Sequence, residues 1–467
     1  HVEHRGGFTN YMTINREAIL VAGIREDDIV EIHNVDSRQF RPRRFSIGEE
    51  LSRLPWDEWL NIIDSNTVLE MIRSTSGDWS NYFKAAALRL QEKFKGRLLL
   101  GFNGVLSSNI PLAAGLSSSS AVVVSAAEAL TFINGLSFIP KDFVNLCGES
   151  EWFVGTRGGS GDHAAMKFGG KGEIIHMGFH DIRVEDIISF PEDYSLVILQ
   201  SQQHAKKSEG AMQIFNEKVA TYEVALAVVK SRYPEYCERL VYFRDINTKR
   251  LGLEPYEIYD ILKNIPERIT RNELMKKISK DDKERMEKIF SSHNKPSGGY
   301  EARRLTLFGI SEIARAREFP GLIKKGNVKK AGRLMNISHD GDRVSKLDEK
   351  GERIRYENST PDVYIDSLRD RLAGGDNSSS LYLQPGGYGC STFIIDELVD
   401  TSLNVEGVAG AQLSGAGLGG CIMVLVKNES VDAFLTTMLT SFYEKHNIPE
   451  NMLVCSPIAG SGILTLQ

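Results

Sequence analysis

The 467-residue chain has no apolar run of the roughly 18 residues that a membrane-spanning helix needs, so no span is expected. Cysteine is scarce. Cys147, Cys237, Cys390, Cys421 and Cys455 form an odd set at wide spacing with no CxxC pair, which argues against a disulfide framework and against a zinc site. A reducing, cytoplasmic setting fits such a set. Positive charge is not in excess: 56 Lys and Arg stand against 62 Asp and Glu, a formal net charge of -6. Without a basic footprint, no nucleic-acid partner is expected; a local pocket can still hold a small anion. The stretch HVEHRGGFTN lacks the apolar segment of a signal peptide. No internal repeat and no long low-complexity tract occur.

What is present is the make-up of a globular enzyme, 41% hydrophobic and 25% charged. The length exceeds one compact core, so two domains are expected, 1–195 and 196–467. Strands are predicted at 97–106, 172–179, 194–200 and 421–426, and in ILTLQ at the end. Residues 121–134 read as a helix packed through small residues. Helical patterning covers 212–232, 255–291 and 301–336. Residues 345–389 are polar and Gly/Ser-rich and read as an exposed insertion or lid.

The strongest local signal is Pro111-Leu-Ala-Ala114-Gly115-Leu116-Ser117-Ser118-Ser119-Ser120-Ala121, lying between a predicted strand and a predicted helix. A helix N-terminus offers free N–H groups and the positive end of a dipole, which suit phosphate. Gly115 allows close backbone approach. No Lys follows the glycine, so this is not a Walker A loop. A serine run alone is equally well read as a helix cap without a ligand. The whole string, however, resembles the ATP-binding signature Pro-x-x-x-Gly-Leu-Ser-Ser-Ser-Ala of the GHMP kinases, with one extra serine.

Further stretches agree with that resemblance and point to its galactokinase-like branch. His1-Val2-Glu3-His4-Arg5-Gly6-Gly7 resembles the end of Gly-Glu-His-x-Asp-Tyr-x-x-Gly. Gly155 to Asp162-His163 resembles Gly-x-x-x-Gly-x-Met-Asp-Gln. LMNISH at 334–339 and the tail SPIAGSGIL are also similar to galactokinase stretches. LSGAGLGGC at 413–421 resembles the family's third, glycine-rich signature. Gly415 to Gly420 also spells G-x-G-x-x-G, but the apolar β-branched run CIMVLV follows where a dinucleotide fold needs a helix. The insertions relative to the family fall near 240–300 and 345–389.

The resemblance implies an α+β, two-lobed GHMP kinase fold with the active site in the cleft between lobes. It implies ATP and Mg²⁺ as cofactors, and transfer of the γ-phosphoryl group to a sugar, galactose or a related aldose or uronic acid, at the anomeric hydroxyl. Nucleotide contacts would come from Pro111, Ala114, Gly115, Leu116, Ser117 to Ser120, Gly415 and Gly417. Ser119 and Glu151 would hold the metal, although the family spacing falls on Ser150 and Glu149 is a second candidate. Asp162 is the expected catalytic carboxylate, with an arginine partner expected upstream of His1. His1, Glu3, Asp162, His163 and Phe215 would contact the sugar. Glu3 replaces the family's Asp and Ser160-Gly161 replace bulkier residues, which leaves the sugar open, and Lys206 and Lys207 read as a solvated basic pair. A monomer or homodimer binding only small molecules is expected. The competing functions are a GHMP kinase for a non-sugar alcohol and a catalytically silent sugar/ATP sensor.

Overall fold

The computed structural model describes residues 1–467 except 56, 76, 113–114, 156–157, 204–208 and 466–467. Its strands, in chain order, are β1 (Phe8–Tyr11), β2 (Ala18–Ile24), β3 (Ile29–Asn34), β4 (Arg43–Ser46), β5 (Phe102–Ser108), β6 (Glu173–Gly178), β7 (Arg183–Ser189), β8 (Tyr194–Gln200), β9 (Ser345–Leu347), β10 (Arg353–Arg355), β11 (Val408–Ser414), β12 (Cys421–Lys427) and β13 (Met452–Cys455). They form sheets ordered β2-β5-β3-β4, β1-β6-β7, β11-β12-β8-β13 and the hairpin β9-β10. Helices cover the sheets, so the architecture is α+β.

Side-chain alternation explains how these strands sit. On β5, Phe102 and Leu106 point inward while Val105 is exposed. The inward face meets helices Ser80–Lys93 and Ser118–Ile133, whose Ala85, Ala86, Ala87, Val123, Ala126 and Ala127 allow close packing. The run Leu196-Val197-Ile198-Leu199 on β8 is apolar at every position because both faces are covered. Val197 and Leu199 enter the largest core, and Leu196 and Ile198 enter a second one with Met12, Ile14 and Leu116. β8 pairs antiparallel with β12 on one side and β13 on the other.

Several predicted boundaries move, each for a local reason. The strand predicted at 97–106 begins at Phe102, because the chain at Gly101 lies so close to Ile29 that no Cβ would fit. The helix predicted from 121 begins at Ser118, since Ser117 takes a left-handed φ of 57° and turns the chain into it. The helical stretch 255–291 is broken into pieces, with Thr270 and Ser279 capping new helices at Arg271 and Lys280. ILTLQ forms no strand over 463–465, and Leu464 is exposed; the sheet edge is taken by β13 instead.

The expected exposed lid at 345–389 is overturned. Helix Asp362–Ala373 sends Ile365 and Leu368 into the largest core, joined there by Tyr388. The polar side chains that suggested a lid find partners: Arg371 pairs with Asp376, which caps the next turn at Ser378, and Asp362 and Asp366 pair with Arg303 and Lys263 outside the segment.

Candidate functional site

A cleft of about 2980 Å³ runs between the serine loop, the glycine loop and the N-terminal segment, lined by residues from both ends of the chain. On one wall, helix Ser118–Ile133 starts at Ser117. Its first N–H groups have no acceptor within the helix, which leaves them for an anion. Facing it, Gly415, Gly417, Leu418, Gly419 and Gly420 all have positive φ between 61° and 127°. The two loops abut: a Cβ on Gly115 would lie 3.8 Å from the Ser414 carbonyl, and one on Gly415 would lie 3.7 Å from the Gly115 carbonyl. Leu116 and Ser117 to Ser120 line the cleft with Gly115, Gly415 and Gly417. Pro111 does not line it, and Ala114 lies outside the described residues, as do Lys206 and Lys207.

Asp162 sits in the first turn of helix Gly161–Phe168 and faces the cleft. Ser117 lines the same cleft, which brings the expected acceptor side beside the serine loop. Burial is the main reason the Asp162 pKa is raised above the usual carboxylate value; the nearby Glu3 carboxylate adds to the rise, and Ser117 and His163 oppose it. Glu3 is likewise raised by burial, opposed by the hydroxyl of Tyr11, which donates to it. Glycine is required in this stretch. A Cβ on Gly159 would sit 2.5 Å from Glu3 Oε1, and one on Gly161 would strike both Tyr11 Oη and Glu3 Oε2.

His163 is not brought to the sugar side, contrary to expectation. It is one residue beyond Asp162, about 100° around the helix, and its side chain is 1% exposed with no place on the cleft wall. Burial holds its pKa down to about 4 despite Asp162, so the ring is neutral near pH 7. Phe215 does line the cleft, tilted against His4 with ring centroids 6.0 Å apart.

The metal candidates separate cleanly. Glu149 is turned to Arg89, whose Nη2 lies 2.6 Å from its Oε2, and Ser150 is fully buried with its hydroxyl on the Leu146 carbonyl. Glu151 faces the cleft, but the serine that reaches it is Ser120, whose Oγ donates to Oε1 at 3.0 Å, rather than the expected Ser119.

His1 lines the cleft with its ring stacked on Tyr388, centroids 4.5 Å apart and planes at 14°. Its Nε2 lies 3.4 Å from Asp342 Oδ2 and 3.4 Å from Cys390 Sγ. Burial pulls the His1 pKa down, but Cys390 and Asp342 more than offset it, and the net position is well above normal.

The model for the GHMP kinases N terminal domain matches residues 81–170, and the GHMP kinases C terminal model matches 365–445. The chain thus carries the N-terminal and C-terminal domains of a GHMP kinase. Among its relatives, a galactokinase of Roseiflexus sp. (strain RS-1) is 23% identical over 463 residues, spanning 99% of this kinase and 89% of the relative. A galactokinase of Dictyostelium discoideum is 22% identical over 477 residues, spanning 97% and 83%. The crystal structure of Lactococcus lactis galactokinase complexed with galactose superposes with a TM-score of 0.67 at 20% identity, covering 99% of this kinase and 91% of that chain. The kinase therefore has the α+β fold expected from its motifs. Among the described residues no helix is long and apolar enough to cross a membrane.

Mg²⁺ takes oxygen ligands, and the Ser120 hydroxyl and Glu151 carboxylate supply them on the cleft wall 3.0 Å apart. The donor set of the kinase thus fits the ion. The motif LMNISH divides: Ser338 lines the cleft, while His339 is scaffold, wholly buried with Asp396 so that Nε2 lies 3.2 Å from Oδ1, and Asp396 Oδ2 also accepts from the Ser345 N–H at 2.7 Å. Sequence reading missed Tyr11, Asp342, Tyr388 and Cys390. Tyr11 lies only eight residues from Glu3 but in a strand with no motif, and Asp342 and Cys390 reach His1 across more than 340 positions.

Proposed function

We propose that this kinase transfers the γ-phosphoryl group of ATP to the anomeric C1 hydroxyl of galactose or a closely related neutral aldose. The observation that carries this reading is that the buried Asp162 carboxylate lines the same cleft wall as Ser117 to Ser120 of the serine loop. The polyphosphate would lie along the N-terminus of helix Ser118–Ile133, opposite Gly415 and Gly417. Mg²⁺, held by Ser120 and Glu151, would neutralise phosphate charge when bound. Asp162 orients the sugar hydroxyl and takes its proton as the oxygen–phosphorus bond forms and the bond to ADP breaks. A carboxylate raised above its normal pKa is a stronger base than a free one, and burial supplies that rise here.

Glu3, Tyr11 and the gap at Gly159 and Gly161 form the wall beside Asp162 where the sugar would sit. Glu3 and Asp162 together make that end of the cleft acidic, which favours a neutral aldose over a uronic acid. His1, by contrast, has its Nε2 turned to Asp342 and Cys390. We also take the kinase to divide near residue 195. One core is built wholly from residues between Val30 and Phe153, and the largest is built mainly from residues between Val197 and Tyr443.

An ADP-release assay over a panel of aldoses, uronic acids, mevalonate and homoserine tests the reading, with phosphorus NMR of the product locating the new ester. Turnover of a neutral aldose with phosphate on C1 is expected. Turnover confined to a non-sugar alcohol, or ATP and sugar binding without ADP release, overturns it.

A further inference from the structure

His1, Asp342 and Cys390 bring a ring nitrogen, a carboxylate and a thiol together at one edge of the cleft, with all three ligand atoms inside 4.8 Å of one another. The separations are 3.4 Å from His1 Nε2 to Asp342 Oδ2, 3.4 Å from His1 Nε2 to Cys390 Sγ, and 3.2 Å from Cys390 Sγ to Asp342 Oδ1. A good N–H···O bond between imidazole and carboxylate would be about 2.7–3.2 Å long, so the first of these is stretched. A tetrahedral ion with bonds of about 2.0–2.3 Å to N, O and S sets its ligands roughly 3.3–3.6 Å apart. With one Asp342 oxygen counted, the three donor atoms lie within 4.8 Å of one another, so a small inward movement brings them to that spacing.

We propose that His1, Asp342 and Cys390 bind a zinc-class divalent transition metal, at a site separate from the Mg²⁺ position at Ser120 and Glu151. Ligand chemistry sets the class: thiolate and imidazole select zinc-like ions, whereas Mg²⁺ prefers oxygen. Cys390 and Asp342 are buried and the His1 ring is fixed by stacking on Tyr388, so the donors are pre-positioned. On binding, the protonated His1 ring and the Cys390 thiol each give up a proton to solvent, which frees Nε2 and Sγ for the ion. The thiolate and the Asp342 carboxylate then balance the ion's two charges. Three protein ligands leave a fourth position for water or a cleft ligand, and both His1 and Asp342 open onto the cleft. The ion also ties the glycine loop to the N-terminal segment. The Cys390 carbonyl accepts from the Leu418 N–H at 2.7 Å, and a Cβ on Gly417 would sit 2.6 Å from Cys390 Sγ.

The test uses the full chain, stripped with a chelator and titrated in nucleotide-free buffer with Co²⁺ followed by absorption and with Zn²⁺ followed by thermal melting. One Co²⁺ per chain with a thiolate charge-transfer band is expected, as is a Zn²⁺-dependent rise in Tm. Cys390→Ser should abolish the band, and Cys237→Ser, at an exposed cysteine, should keep it. Asp342→Asn should keep the band but weaken Zn²⁺ binding more than about 100-fold, beyond the 10–100-fold cost of losing a mere supporting partner. A wild-type chain with no band, a band that survives Cys390→Ser, or unchanged Zn²⁺ affinity in Asp342→Asn each overturns the site.

Discussion

Replacing Asp162 by Asn should make the kinase more stable and almost inactive, and the two effects have one origin. The carboxylate is buried and its pKa is raised, first by desolvation and then by Glu3. Because the folded pKa exceeds the unfolded value of 3.8, the group's stabilising contribution is complete below that value and is lost as pH rises through the folded pKa. Above its folded pKa the group therefore holds a charge that the folded state disfavours, at about 1.4 kcal/mol for each pH unit of the rise. Asn keeps the shape and carries no charge. Activity should fall by about 10²–10⁴-fold, the usual worth of a positioned general base. Thermal melting from pH 5 to 8 checks the first effect. The advantage of Asp162→Asn should widen with pH until the wild-type carboxylate is fully ionised. ADP release on the favoured aldose checks the second. A variant that melts below wild type at pH 7, or that keeps most of its activity, would refute the placement of Asp162 as a buried base.

Ser120→Ala and Glu151→Gln should each raise the Mg²⁺ concentration needed for half-maximal activity, and the double variant should lose less than the sum, since the two side chains share one hydrogen bond; metal-dependence curves of the three proteins decide this. Gly161→Ala should drive Tyr11 from Glu3, costing about 1–3 kcal/mol in urea unfolding and raising the sugar KM more than the ATP KM. Asp396→Ala leaves His339 and the Ser345 N–H without their wholly buried partner, so a loss of about 3–5 kcal/mol is expected, with kcat per folded molecule unchanged in chromatography-purified protein.

The two loops proposed to hold phosphate were legible because their constraints are local. A left-handed turn at Ser117 followed by a serine-rich helix start, and a run of positive-φ glycines from 415 to 420, can be met by few residue types. The same holds for β8, whose unbroken apolar run requires cover on both faces. The segment 345–389 was misread because composition reports polarity, not partners. Its charges pair with one another, as Arg371 does with Asp376, and with the rest of the chain, as Asp362 does with Arg303 and Asp366 with Lys263, while Ile365, Leu368 and Tyr388 reach the core.

Choices among near-equivalent neighbours needed the fold. Glu149, Ser150 and Glu151 differ in role only because helix Pro140–Glu151 turns the first to Arg89, buries the second and presents the third to the cleft. Asp162 and His163 are adjacent in sequence, yet one helical step sends one to the cleft and the other to the interior. By itself, then, the sequence determined the family, the fold class and the two loops, since short-range backbone geometry restricts which residues can occupy them. The tertiary structure alone decided which serine meets Glu151, which carboxylates face the cleft, and that His1, Asp342 and Cys390 converge, because contacts across hundreds of residues leave no periodic trace along the chain.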